Sequence, residues 1–421
     1  MLRQIEGSRA VAESVALCRP EVVCAYPITP QTHIVEALGE MVKSGRLKRC
    51  EFINVESEFA ALSVAIGASG AGARSYTATA SQGLLYMTEA VYNASGLGLP
   101  IVMTIGNRAI GAPINIWNDH SDSMSVRDSG WLQLYAETNQ EAADLHIQAF
   151  RLAEELSLPV MVCMDGFILT HAYERVDVPS QEEVDAWLPP FEPRQVLDPA
   201  APLSIGSLVG PEAFTEVRYL AHRAQLQALE RIPELSREFA RAFGRNSGGL
   251  VRGYRTEEAD ADAEILVVAL GSVNGTIQEV IDELRDDGVR IGSVSICSYR
   301  PFPFDVLRET LGRARQVVVV EKCLAVGTGG IVSMEVQTAL TGLPVKVSTV
   351  VAGLGGRPIT RKSLRETFER ANRGQLPPLT FLDLNEDAVS RELERQSERR
   401  CSGPTAENIL RDLRTAALRP A

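Results

Sequence analysis

The sequence predicts an α/β chain, two doubly wound parallel sheets following one another. Three observations carry this. Short runs of consecutive apolar residues recur from Val22 to Met164 and again from Ile265 to Val351. Stretches with helical apolar spacing separate them. The 421 residues, 45% hydrophobic and 23% charged, are enough for two or three domains with sizeable cores. Unbroken apolar runs mark strands buried on both faces, as in a parallel sheet between helix layers.

In chain order, Gly7 to Cys18 carries Val11, Val15, Ala16 and Leu17 at helical spacing. Val22 to Tyr26 reads as a strand, broken by Pro27-Ile28-Thr29-Pro30 because proline removes an N–H and restrains its predecessor. Helix signals run from Thr32 to Val42, then a strand from Phe52 to Val55 and a helix from Glu58 to Ile66. Ser75 to Thr79 is strand-like, Gly83 to Tyr92 helical, and Ile101 to Ile105 another buried strand. A loop from Gly106 to about Gly130 precedes an amphipathic helix, Glu141 to Glu155, and a strand, Val160 to Met164. Val176 to Pro193 is rich in proline and acid, Pro211 to Phe243 is helical and laced with charge, and Asn246 to Asp262 reads as a linker. Strands resume at Ile265–Leu270, Ile291–Ile296, Val317–Val320 and Val345–Val351. The expected organisation is a first domain over 1–175, a helical linker region over 176–262, a second domain over 263–385 and a C-terminal helical arm over 386–421.

Composition excludes several classes. A net charge of −12 disfavours polyanions, so no nucleic acid is expected as a partner. No uncharged apolar run approaches the ~20 residues of a membrane span, and Met1 to Gly7 has no apolar signal core. A cytoplasmic chain is expected. The seven cysteines (18, 24, 50, 163, 297, 323 and 401) are scattered, with no C-x-x-C pair. They predict small buried apolar residues rather than a metal or cluster site, and no metal ligand is assigned. The glycine-dense Gly67 to Arg74 lies between helix and strand, the reverse of a dinucleotide fingerprint, and reads as a helix end. Gly353 to Thr360 follows a strand and reads equally as an anion nest or a tight turn.

Four features fall near predicted strand ends, where α/β folds place ligands. Tyr26-Pro27-Ile28-Thr29-Pro30 is a stiff segment. Val55-Glu56-Ser57-Glu58 offers two glutamates, each of which alone reads also as a helix first-turn carboxylate. Thr79-Ala80-Ser81-Gln82-Gly83 is small and polar. Asn107-Arg108-Ala109-Ile110-Gly111 brings an arginine suited to a carboxylate, or to a surface ion pair.

In their order YPITP, ESE-x-AA, TASQGL, NRA, INIWNDHSD, RDSGW, NQEA and MDGFI-x-TH, these motifs resemble the alpha subunit of the 2-oxoacid:ferredoxin oxidoreductases, of pyruvate type. The resemblance is dense over residues 5 to 175 and continues through ALGS, SYRPFP, VVVVEK and GLGGR. It implies a thiamine-diphosphate-type pyrimidine domain followed by a transketolase C-terminal-like α/β domain. Glu58 matches the family glutamate that hydrogen-bonds the cofactor pyrimidine and promotes loss of the C2 proton, with Glu56 the alternative. Pro30, Ser81 and Gln82 are implied on the cofactor side. Arg108 and Thr29 match the groups that meet the substrate carboxylate, with Ile28, Ile110 and Gly111 lining the variable group.

The family's chemistry is CoA-dependent oxidative decarboxylation of a 2-oxo acid, with electrons passing to iron–sulfur clusters. This chain has no GDG; Met164-Asp165-Gly166 and Asp286-Asp287-Gly288 lack its leading glycine. The resemblance therefore implies a beta subunit holding the diphosphate, Mg²⁺ and a [4Fe-4S] cluster. It also implies gamma and ferredoxin-like delta subunits, in a dimer of hetero-oligomers. Arg357-Pro358 departs from the Arg-Asp common after GLGG. Gly111, where pyruvate-type members often carry Ser, hints at room for a branched-chain or aryl 2-oxo acid (2-oxoisovalerate, phenylglyoxylate, indolepyruvate). A 2-oxoglutarate enzyme, a non-catalytic scaffold subunit and a transketolase-like carboligase are the other readings.

Overall fold

Strands and helices alternate along the chain for the reason the sequence suggests. Each apolar run becomes a strand buried on both faces, and each amphipathic stretch a helix laid over it. The computed structural model describes residues 2–257 and 263–417. Its strands, in order, are β1 (Leu2–Glu6), β2 (Val22–Ala25), β3 (Glu51–Asn54), β4 (Ser75–Thr79), β5 (Ile101–Asn107), β6 (Leu132–Tyr135), β7 (Val160–Asp165) and β8 (Tyr173–Asp177). Then follow β9 (Val251–Tyr254), β10 (Ile265–Ala269), β11 (Ile291–Ile296), β12 (Ser298–Arg300), β13 (Gln316–Glu321), β14 (Lys346–Val351) and β15 (Leu379–Phe381).

The first sheet has seven strands in the order β12-β6-β7-β5-β4-β2-β3, all pairs parallel except β12–β6. The second has six, β15-β14-β13-β10-β11-β9, parallel except β11–β9. β1 and β8 form a separate antiparallel pair. In the first sheet the chain lays β3 to one side of β2 and then returns to place β4 on the other. The carboxyl ends of β2 and β4 therefore flank a topological switch point, the position where a doubly wound sheet opens a crevice.

The two faces of the first sheet bury different partners. Val102 and Val160 join a cluster with the helices Gly7–Leu17, Thr32–Lys43, Asn139–Leu156 and Phe214–Phe243. Their neighbours Met103 and Met161 point the other way, into a cluster shared with Leu266, Val268, Val294 and Val319 of the second sheet. One apolar core thus spans both sheets, and each fully buried Val, Leu or Met in it adds about 1.5–3 kcal/mol.

Several short elements were not evident in the residue pattern. β6 and β12 lie beyond the predicted strands, and the loop after β5 contains a helical turn, Ser121–Ser125. The helix expected over Gly83–Tyr92 forms as two, Ser81–Tyr86 and Thr88–Gly96. The stretch read as a linker supplies β9 to the second sheet, while residues 258–262 of it lie outside the described residues. The 30-residue helix Phe214–Phe243 buries Ala228, Ile232, Leu235 and Phe239 in the first-sheet core. Six cysteines are buried and Cys401 is exposed. The expected C-terminal helices are Glu386–Glu398 and Thr405–Ala417, with 418–421 outside the described residues. No helix among the described residues is long and apolar enough to cross a membrane.

Between the sheets, Asp165 at the end of β7 is buried and accepts five donors. Asn118 Nδ2 (3.0 Å) and His120 Nε2 (2.7 Å) meet Oδ1. The Ser272 backbone N–H (2.9 Å), the Ser272 hydroxyl and Lys322 Nζ meet Oδ2. Burial alone would raise this carboxyl, but Lys322 and His120 outweigh it and hold it well below the usual carboxylate range. Lys322→Ala leaves that charge buried without its cation. It should cost about 3–5 kcal/mol, read as a lower urea midpoint. Because the Asp165 value is depressed, its stabilisation is present above the ordinary carboxylate range and lost as the pH falls below it. Native and variant curves should therefore converge only in acid.

Candidate active site

The features singled out in the sequence assemble at the carboxyl ends of β2, β3, β4 and β5, around the switch point. Glu58 opens the helix Glu58–Gly70, whose N-terminus is capped by the Ser57 side chain accepting from Ala60 N at 3.2 Å. Glu58 is buried, whereas Glu56 is exposed. No hydrogen bond or ion pair engages the Glu58 carboxylate among the described residues. The Thr79 hydroxyl, buried at the end of β4, also lacks a partner. Between the two lies Gly83. A Cβ there would stand 2.5 Å from Thr79 Oγ1 and 2.8 Å from Glu58 Oε1, so only glycine lets the helix Ser81–Tyr86 come this close.

Arg108 follows β5 and is buried. Its Nη1 donates to the Thr29 carbonyl (2.9 Å) and its Nε to the Asn115 carbonyl (3.0 Å). Burial pushes the guanidinium below its usual value, and Asp122 opposes that shift. Thr29 is exposed, Ile28 half-buried and Pro30 buried. Pro30 is packed against Gly166, where a Cβ would lie 2.7 Å from Pro30 Cγ and 2.4 Å from the Asn107 carbonyl. The β2 and β7 loops can meet only across that glycine.

Ser81 starts its helix at φ +49°, a left-handed conformation costly for a residue with a Cβ. It is held there by its N–H to Asp122 Oδ2 (2.9 Å) and by its hydroxyl to the Ala109 carbonyl (2.5 Å) and to Gln82 Oε1. Gln82 Nε2 reaches over Gly111, and a Cβ on Gly111 would stand 2.5 Å from it. The space expected to open at Gly111 is therefore filled by the Gln82 amide. Ile110 is half-buried beside it. Ser81, Gln82, Gly111, Arg108 and Thr29 thus share one network. No hydrogen bond among the described residues joins it to Glu58.

Asp122 carried no role in the residue pattern, yet it organises the site. Fully buried, it accepts from Ser81 N, Asn107 Nδ2 (2.8 Å), Arg108 N (3.0 Å) and Ser123 N (2.8 Å). Burial dominates these four hydrogen bonds and pushes its carboxyl up to about 7. Only the fold reveals this, because the segments it ties, at Ser81, at Asn107 and Arg108 and at its own turn, are not adjacent in the sequence. Nearby, the Gly353–Gly356 turn packs onto the loop after β5, with Gly355 N donating to Asp119 Oδ2 (3.2 Å) and Asn115 Nδ2 to the Gly355 carbonyl (3.2 Å). Of the two readings of that turn, the structure shows the tight turn, Leu354–Gly356, packed against the loop after β5.

Comparison with known proteins agrees over nearly the whole chain. Residues 13–237 match the family described as pyruvate flavodoxin/ferredoxin oxidoreductase, thiamine diphosphate-binding, and residues 263–364 match pyruvate:ferredoxin oxidoreductase core domain II. The pyruvate synthase subunit PorA of Methanosarcina barkeri is 45% identical over 394 residues, covering 91% of this chain and 97% of that one. The ketoisovalerate oxidoreductase subunit VorA of Pyrococcus horikoshii is 38% identical over 368 residues, covering 87% and 92%. A solved 2-oxoglutarate:ferredoxin oxidoreductase from Magnetococcus marinus, with 2-oxoglutarate, coenzyme A and succinyl-CoA bound, superposes with a TM-score of 0.65 at 19% identity. That superposition covers 88% of this chain and 65% of the solved one, and it shows a shared fold. The chain belongs to the pyruvate flavodoxin/ferredoxin oxidoreductase family.

Proposed function

We propose that this chain is the alpha-type subunit of a thiamine-diphosphate-dependent 2-oxoacid oxidoreductase acting on pyruvate. The overall reaction converts a 2-oxo acid and coenzyme A to acyl-CoA and CO₂, releasing two electrons. The observation that carries the reading is Glu58, a residue buried at the switch point whose carboxylate makes no hydrogen bond or ion pair among the described residues, beside a buried Thr79 hydroxyl that has no partner. A carboxylate that the protein leaves without a partner in a crevice is open to a donor from a ligand. The protonated ring nitrogen of an aminopyrimidine is such a donor, so the residues present fit that end of thiamine diphosphate.

Thiamine diphosphate held there would supply a nucleophilic carbon and an electron sink for decarboxylation. Glu58 accepts a hydrogen bond from the pyrimidine ring and keeps a proton on the facing nitrogen. Pro30, Ser81 and Gln82 wall the same crevice. Arg108, stripped of water and already fixed by Thr29 and Asn115, binds the substrate carboxylate. That charge leaves with CO₂, so Arg108 positions the ground state more than the transition state. The Thr29 hydroxyl donates to a substrate oxygen, and Ile28, Ile110 and Gly111 border the acyl group. Asp122 is a positioning residue that acts through Ser81 and Arg108.

The absence of a GDG sequence supports a partner subunit that holds the diphosphate and Mg²⁺. Exposed apolar side chains on the segments after β2, β3, β4, β5 and β7 (Tyr26, Phe59, Tyr86, Ile114, Trp117 and Ile168) support its docking over the crevice. In this reading, [4Fe-4S] clusters in beta and ferredoxin-like delta subunits carry the electrons to ferredoxin. A gamma subunit completes a dimer of hetero-oligomers in the cytoplasm.

The deciding experiment is NMR exchange of the cofactor C2 proton in the assembled complex. Glu58→Gln should abolish it, and unchanged exchange overturns the assignment. Arg108→Met should raise KM for the 2-oxo acid about 10–100-fold, the loss of one charged hydrogen-bonded contact, with a smaller effect on kcat. For Asp122 the folded state holds a proton that the unfolded chain releases. The stability it contributes is full below about pH 4 and falls away as the pH rises to about 7. The melting temperature of Asp122→Asn should therefore gain on that of the native chain across this window.

A further inference from the structure

Outside the crevice, three chemistry-bearing side chains from distant parts of the chain converge. Glu6 ends β1, His33 is the second residue of the helix Thr32–Lys43, and His171 lies between β7 and β8. Their ligand atoms all lie within 4.8 Å of one another. His33 Nδ1 stands 2.7 Å from Glu6 Oε1, and the two imidazole rings are 4.7 Å apart. His171 Nδ1 is also 2.7 Å from the Thr170 hydroxyl, which accepts from Phe167 N at 2.8 Å. The His171 ring is thereby oriented from behind, the arrangement that fixes metal-bound imidazoles.

We propose that Glu6, His33 and His171 form a binding site for a borderline divalent cation of the Zn²⁺ class. Two imidazole nitrogens and one carboxylate oxygen are a donor set that Zn²⁺ takes, with a fourth position left for water. In a tetrahedral site with bonds of ~2.0–2.2 Å, donors lie about 3.4 Å apart. The set closes from its present spacing by small side-chain rotations. His33 is 48% exposed at its side chain, which leaves an entry path and the open coordination position, while Glu6 at 17% and the inner imidazole form the floor. An ion here would tie β1, the helix that follows the Thr29–Pro30 turn and the segment leading from Asp165 to β8. It would brace the substrate-side loop from outside the crevice. The three ligands stand at positions 6, 33 and 171, a spacing that carries no metal signature. The site does not depend on the proposed reaction.

The test is calorimetric titration of the untagged, full-length chain with ZnCl₂ alone, with thermal unfolding as a second reading. Native chain should bind one ion and melt higher with Zn²⁺ present. His33→Ala and His171→Ala should each lose the saturable site and the thermal shift. Thr170→Val should weaken binding about 10-fold or more through the orienting contact. His222→Ala, on the exposed part of the helix Phe214–Phe243, should bind as the native chain does. Absence of stoichiometric binding by the native chain, or binding equal in native and His171→Ala chains, overturns the proposal. Because His33 lies on an exposed helical surface, its alanine variant folds and keeps the test decisive.

Discussion

The carboxylate of Asp165 is the constraint on which the rest of the molecule depends. It stands at the carboxyl end of β7, directly across from Asn107 at the end of β5. Its donors come from the loop after β5, from the turn after β10 and from the residue after β13. Both sheets are thus referenced to one buried atom pair. The Gly166 contact with Pro30 then passes that reference to the β2 loop, and the Asn107 side chain passes it to Asp122.

Two equally buried aspartates in one site take opposite electrostatic courses, and the difference is instructive. Asp165 is compensated by a lysine and a histidine, so its charge is retained where water is absent. Asp122 receives only neutral donors, the Arg108 backbone N–H among them, and burial pulls it towards the protonated form. The first is a tie between the two sheets, the second a tie between loops. The loops it joins carry a left-handed serine and a desolvated arginine, both uncomfortable conformations or environments that need external support.

Much of the architecture was legible because burial on two faces writes itself as apolar runs. β2, β4, β5, β7, β10, β11, β13 and β14 fall within or beside the predicted strands. The elements that were not legible share a physical cause. β12 and β9 are short edge strands, β1 and β8 carry charge on an exposed face, and β6 includes the polar Gln133. Such segments are too short or too polar to write an unbroken apolar run, even where, as in β6, every residue is buried. At the candidate site the same limit applies. The motif order pointed to the crevice residues, and the strand ends bring Arg108, Thr29, Ser81, Gln82 and Gly111 together. Asp122 and Asp165 stand inside the motifs INIWNDHSD and MDGFI, but the groups they hold come from other segments of the chain, so their positioning role is not written locally.

The short strand β12 has a consequence for how the chain is made. β11 belongs to the second sheet and β12, two residues later, to the first, so one stretch of backbone stitches the two together. Ser298 follows Tyr135, the last residue of its partner β6, by 163 residues. At ribosomal rates of roughly 5–20 residues per second, the outer edge of β6 waits about 10–30 s for its closing strand. During that interval the nascent first sheet presents an open template for foreign strands. The order of synthesis therefore makes the second half of the chain an intramolecular guardian of the first.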